Sequence, residues 1–171
     1  MTAKEEKVMN GKMKSEINKQ INREIYSAYL YLSMAAWFDC WKMAGFASWM
    51  KVQAREEMAH AMRFYDYLLS SGERPVMAGI AGPPVDWESA ESVFRKVAGH
   101  EKKVTAFINA LLSTAVSVKD TRTAKFLGWY VKEQEEEEES AGKILKELKK
   151  AGKDAKKIRA IGLKLGKRVF D

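Results

Sequence analysis

The chain has 171 residues, 46% of them hydrophobic, and a formal net charge of +7. That length and apolar content suit one domain with a packed core, not a disordered chain or a string of domains. A single cysteine, Cys40, excludes an internal disulfide framework, and the longest apolar run, Ala28 to Phe38, is far short of the roughly 20 residues that a membrane helix needs.

Met1 to Ser15 is polar and lysine-rich and lacks the apolar core of a signal peptide, so a soluble, cytoplasmic chain is expected. After a flexible stretch over residues 1–9, the first helix is predicted from about Asn10 to Phe38. Its seam reads Ile17, Ile21, Glu24, Ala28, Tyr31, Ala35, in steps of three and four. The second runs from about Phe46 to Ser70 with the seam Phe46, Met50, Gln53, Glu57, His60, Phe64, Tyr67, and stops at Gly72. All three prolines fall in the following segment, residues 71–87, with Gly72, Gly79 and Gly82. The third helix is expected to begin after Asp86, as N-cap, with Glu88 in its first turn, and to end near Val116. Its seam is Phe94, Val97, Glu101, Val104, Ile108, Leu111, Ala115. The fourth starts after Asp120 or Thr121 and ends at Gly152, with Leu127, Tyr130, Gln134, Glu137, Ala141, Ile144 and Leu148 in its seam. A short fifth, over 154–169, carries Ile158, Ile161, Leu165 and Val169 on one side.

Two short connections imply antiparallel neighbours. The linker after the second helix is different: its 17 residues reach roughly 56 Å when extended. A helix of about 25 residues is only about 38 Å long. The linker can therefore traverse the bundle and set the third helix parallel to the second. The expected fold is all-α, a single domain formed by a four-helix bundle with one long crossover plus a short fifth C-terminal helix.

Each of the four long seams carries a glutamate where an apolar residue belongs: Glu24, Glu57, Glu101 and Glu137. A buried, unpaired carboxylate costs several kcal/mol, and four that converge repel one another unless protonated or neutralised. A bound pair of metal ions answers this. Glu57 and His60 form Glu-x-x-His, whose spacing puts both on one helix face. The motif is weak alone and gains weight from the other seam carboxylates. Oxygen ligands with one imidazole suit Fe(II), Mn(II) or Zn(II), and the missing thiolates argue against structural zinc. Glu57, central and beside His60, is the best bridging candidate. His100 has only Glu101 for company and reads as a surface or structural residue.

Taken together, Glu24 in Asn22-Arg-Glu-Ile-Tyr-Ser-Ala-Tyr-Leu-Tyr31, Arg55-Glu-Glu-Met-Ala-His60, His100-Glu101 and Glu133-Gln-Glu-Glu-Glu137 resemble prokaryotic non-haem ferritin, over roughly Lys12 to Val169. The resemblance implies a ferritin-like fold and an iron store with ferroxidase activity, which oxidises Fe(II) with O2 at a di-iron centre inside one subunit. Glu24, Glu57 and His60 would hold one iron; Glu57, Glu101 and Glu137 would hold the other, with Gln134 close by. A third, weaker iron position would lie near Glu56, Glu133 and Glu136. Tyr31 matches the family's redox-active tyrosine and Trp129 an aromatic often found nearby. The assembly implied is a homo-oligomeric shell of about 24 subunits around a mineral-filled cavity, with the fifth helix at its four-fold axes.

Bacterioferritin has methionine as haem ligand at the position of Met58, but its fourth helix carries Glu-x-x-His where this chain has Gln134-x-x-Glu137. Haem is therefore not expected, and Met58 reads as a helix-surface or subunit-contact residue. The chain departs from the family in charge. Lys119-Asp120-Thr121-Arg122 precedes the fourth helix, and Lys156, Lys157, Arg159, Lys164, Lys167 and Arg168 follow it. A basic surface attracts polyanions such as nucleic acid. No helix-turn-helix, finger or RNP-like motif accompanies it, so these residues are expected to form a solvated face.

Overall fold

The computed structural model describes residues 9–170, so the flexible stretch expected at 1–9 lies, apart from Met9, outside the described residues. Five helices follow one another: α1 Gly11–Cys40, α2 Ala44–Ser70, α3 Ala90–Ser117, α4 Thr121–Ala151 and α5 Ala155–Leu165. Each seam residue predicted for α1 to α4 is buried. Among the described residues no helix is long and apolar enough to cross a membrane.

α1 packs against α2, α3 against α4, and α1 against α3, while α5 docks on α2 and α4. Phe46 at the start of α2 and Phe94 at the start of α3 meet at one end, ring centroids 6.0 Å apart. The two helices are therefore parallel, as the long linker requires. That linker runs along α1: Val76 N–H donates to Asn18 Oδ1 at 2.7 Å, Asn22 donates to the carbonyls of Ala78 and Gly79, and Ser33 Oγ donates to the Pro84 carbonyl at 2.7 Å. From Asn18 to Ser33 this covers about 22 Å of helix.

Two ends differ from expectation. α3 is capped by Ser89, not Asp86, and its first-turn acid is Glu91, not Glu88. Ser89 Oγ accepts from Ser92 N–H at 3.1 Å and Ser92 Oγ accepts from Ser89 N–H at 3.0 Å, so one reciprocal pair satisfies two otherwise orphaned donors. Trp87, packed edge-on against Trp37, stays outside the helix. α5 ends at Leu165, so Val169 is not on its apolar face but 71% exposed beyond it. α4 starts after Asp120, which caps it, and is followed by Gly152 (φ +55°), as the sequence puts them, and Asp154 caps α5.

α5 is seated by a glycine contact. A Cβ on Gly45 would overlap the carbonyl of Gly162, and a Cβ on Gly162 would come within 2.9 Å of the Phe46 ring. At Gly45 backbone meets backbone, so the neighbour cannot swing aside. Gly45→Ala is expected to cost about 1–3 kcal/mol by overpacking and to loosen α5 from the bundle. A thermal melt with limited proteolysis of the C-terminal segment checks this; unchanged protection would mean that α5 is held elsewhere.

Candidate metal centre

The bundle has two apolar layers. One contains Leu30 to Phe38 of α1, Phe46 to Ala54 of α2, Ala90 to Val97 of α3 and Ala141 to Leu148 of α4. The other contains Met13 to Ile21, Phe64 to Leu68, Val104 to Ala115 and Leu127 to Tyr130. Glu24, Glu57, His60, Glu101, Gln134 and Glu137 lie in the gap left in each helix between these sets, all buried. Mid-helix position on four packed helices thus makes a polar belt across the centre of an otherwise dry core.

One ligand atom from each of Glu24, Glu57 and His60 lies within 4.8 Å of the others. Glu24 Oε1 accepts from Gln20 Nε2 at 2.7 Å, but its Oε2 is buried without a hydrogen-bond partner. Glu57 Oε1 accepts from Gln53 Nε2 at 3.1 Å, and its Oε2 is 3.6 Å from His60 Nδ1. On the other side, Glu101 accepts from Tyr31 Oη and, at 3.2 Å, from Gln134 Nε2. Tyr130 Oη donates to the His60 carbonyl at 2.8 Å and helps hold that turn of α2 in place.

Burial, followed by the nearby Glu57 charge, pushes Glu24 up to about 8. Burial and the Glu137 charge push Glu101 up to about 7. Glu57 is raised well above the usual carboxylate range by burial, then by Glu101 and Glu137, and Glu137 is raised mainly by burial. Burial and Glu101 also keep the Tyr31 phenol protonated. Carboxylates crowded this way bind protons or cations. An orphaned buried oxygen beside an imidazole and a second carboxylate fits a divalent cation such as Fe(II), whose charge removes the repulsion.

The family profile described as a ferritin-like domain matches residues 14–151. The chain belongs to the ferritin family. It is 39% identical over 145 residues to a bacterial non-heme ferritin of Bacteroides fragilis (strain 638R), covering 85% of this chain and 91% of the relative. With a bacterial non-heme ferritin of Escherichia coli O6:H1 it shares 36% identity over 146 residues, 85% of this chain and 88% of the relative. Among solved structures, an open pore ferritin from the hyperthermophilic archaeon Archaeoglobus fulgidus superposes with a TM-score of 0.94 at 42% identity, over 95% of this chain and 99% of that one. An engineered closed form of the Archaeoglobus fulgidus ferritin gives 0.94 at 43% identity with the same coverage.

The residues expected at this ferritin's third metal position are not gathered as tightly. Glu56 and Glu133 line a cavity of about 580 Å³ with His60, whereas Glu136 is exposed and absent from its lining. Glu133 Oε1 is 3.9 Å from His60 Nε2. Trp129 stands edge-on to His60 at 5.5 Å, under the Arg63 guanidinium. Met58 is 42% exposed on α2. His100 is half-buried, its Nε2 2.8 Å from Ser27 Oγ, and burial with Lys96 and Lys103 lowers it to about 4. It ties α3 to α1 as a neutral ring.

Sequence reasoning left the roles of Gln20, Gln53 and Arg168 unassigned. Both glutamines lie one helical turn before a seam glutamate and are fully buried. That repeated Gln-x-x-x-Glu spacing was a usable signal. Arg168, counted among the solvated cations, instead turns inward and pairs with Glu56. No local pattern marks it, because its partners lie more than 100 residues away.

Proposed function

We propose that Glu24, Glu57 and His60 hold one Fe(II) and that Glu57, Glu101 and Glu137 hold a second, with Glu57 shared between them. As a non-haem ferritin, the protein oxidises Fe(II) and stores the resulting Fe(III). The observation that carries the ligand assignment is the buried triad of Glu24, Glu57 and His60 with the unpartnered Glu24 oxygen.

Within this reading the electrons pass to O2, four Fe(II) supplying the four electrons that reduce one O2. The carboxylates lose their protons as iron enters and hold it in a pocket screened from bulk water. Gln134 donates to Glu101 and so orients the second set. Tyr31, buried and donating to the same carboxylate, would lend the centre one electron and a proton and regain that electron from a later Fe(II), so that four Fe(II) still account for each O2 reduced. Glu56, Glu133 and Glu136 would take a third, weaker iron on its way to the store. Subunits would close into a shell of about 24 around that store.

Aerobic addition of Fe(II) in small steps tests the proposal. A rapid phase is expected that saturates near two irons per subunit, followed by slower uptake. A rapid phase that saturates near one iron, or none, would overturn the two-metal assignment. Sizing of the same iron-loaded sample reports whether the shell forms.

A further inference from the structure

The C-terminal turn reaches back to the metal centre. Beyond α5, the Arg168 guanidinium packs over the Trp49 ring, 4.7 Å from its centroid. Its Nη2 pairs with the Glu56 carboxylate, and its Nη1 donates to Gln53 Oε1 at 2.7 Å. Gln53 is fully buried, and its Nε2 donates to Glu57 Oε1. Phe170, two residues on, lines the cavity shared by Glu56, His60 and Glu133.

We propose that Arg168 is a tethered cation that holds Glu56 in place of a third metal ion and, through Gln53, positions the shared ligand Glu57. The inference rests on the di-iron reading above. Its first half follows from charge. Glu56 is half-buried and faces Glu133 and Glu137, so it needs a positive partner. The guanidinium supplies one, on Glu56 Oε2, and a divalent ion that takes Glu56 must compete with it. The second half follows from donor and acceptor inventory. Arginine offers only donors, so Gln53 must turn its oxygen outward to accept and its NH2 inward toward Glu57. The two fork nitrogens hold both partners at once, which a lysine point charge does poorly. The guanidinium therefore keeps the third position weak while it fixes the orientation of the bridging carboxylate.

Redox-inert Zn(II), titrated calorimetrically into the metal-free full-length protein, separates this role from oxidation. Wild type should take up two ions per subunit tightly and a third weakly. Arg168→Ala should bind the third about tenfold more tightly and the first two about tenfold more weakly. Arg168→Lys, which keeps a charge by Glu56, should restore the weak third site but not the affinity of the first two. Identical isotherms for wild type and Arg168→Ala would overturn the proposal while leaving the di-iron reading intact. If Arg168→Ala does not fold, an Arg168→Lys isotherm matching wild type throughout would overturn the positioning role. Wild type that binds no Zn(II) would sink the underlying reading, and with it the inference.

Discussion

Replacing Glu57 or His60 with alanine is expected to abolish the rapid phase of Fe(II) oxidation, lowering its rate at least about a hundredfold. Loss of a residue that merely supports a metal ligand already costs about 10–100-fold in affinity or activity. Glu57 should lie above that range, because its loss would deprive both ions of a ligand. His60 supplies the one imidazole of the set, within the same 4.8 Å group. Damage to the fold would also abolish oxidation, so stability must be measured alongside. The two explanations differ in sign. Glu57 is 2% exposed and held well above the usual carboxylate range by burial, Glu101 and Glu137, so near neutral pH folding must return a proton that the unfolded chain has released, and removing Glu57 takes away that cost. Metal-free Glu57→Ala should therefore melt no lower than metal-free wild type near neutral pH. Stopped-flow oxidation in air and a thermal melt in chelator check both halves. Wild-type rates in Glu57→Ala would remove this residue from the centre.

The metal-free protein should lose stability as pH rises from about 4.5 through about 8, by several kcal/mol in all. Glu24 is raised from 4.5 to about 8 and Glu101 from 4.5 to about 7. Both shifts are upward, so the folded state holds protons that the unfolded chain has already released. The stabilisation is complete below the unfolded value and disappears as each folded value is passed. Metal reverses the dependence, since ligand carboxylates must ionise to bind it. Adding Zn(II) should restore stability most at the alkaline end and release protons as it binds. Chemical denaturation at about pH 5 and about pH 8, with and without Zn(II), reads out the sign. Metal-free stability that rises across this window would mean that the carboxylates are not held in a dry core.

The amino-acid pattern carried most of the fold because burial repeats. A helix that faces a core along its length shows an apolar residue every three or four positions, and all four long seams did so. The crossover was legible for a related reason: a segment with three prolines cannot continue a helix, and its length allows few routes. Helix ends were less legible. Asp86 and Ser89 are both competent caps, and the choice fell to Ser89 through its pairing with Ser92 and the docking of Trp87 on Trp37.

By itself, then, the chain determined four long helices, their connectivity and the four glutamates that interrupt their seams, since each is a matter of local periodicity. Tertiary structure decided what those glutamates touch. It converged Glu24, Glu57 and His60, turned Tyr31 and Gln134 onto Glu101, and left Glu136 at the surface. It also drew Arg168 out of an apparent solvated face to Glu56 and Gln53. Such contacts join residues far apart in the chain, and their partners are chosen by how the helices pack and not by any spacing along one of them.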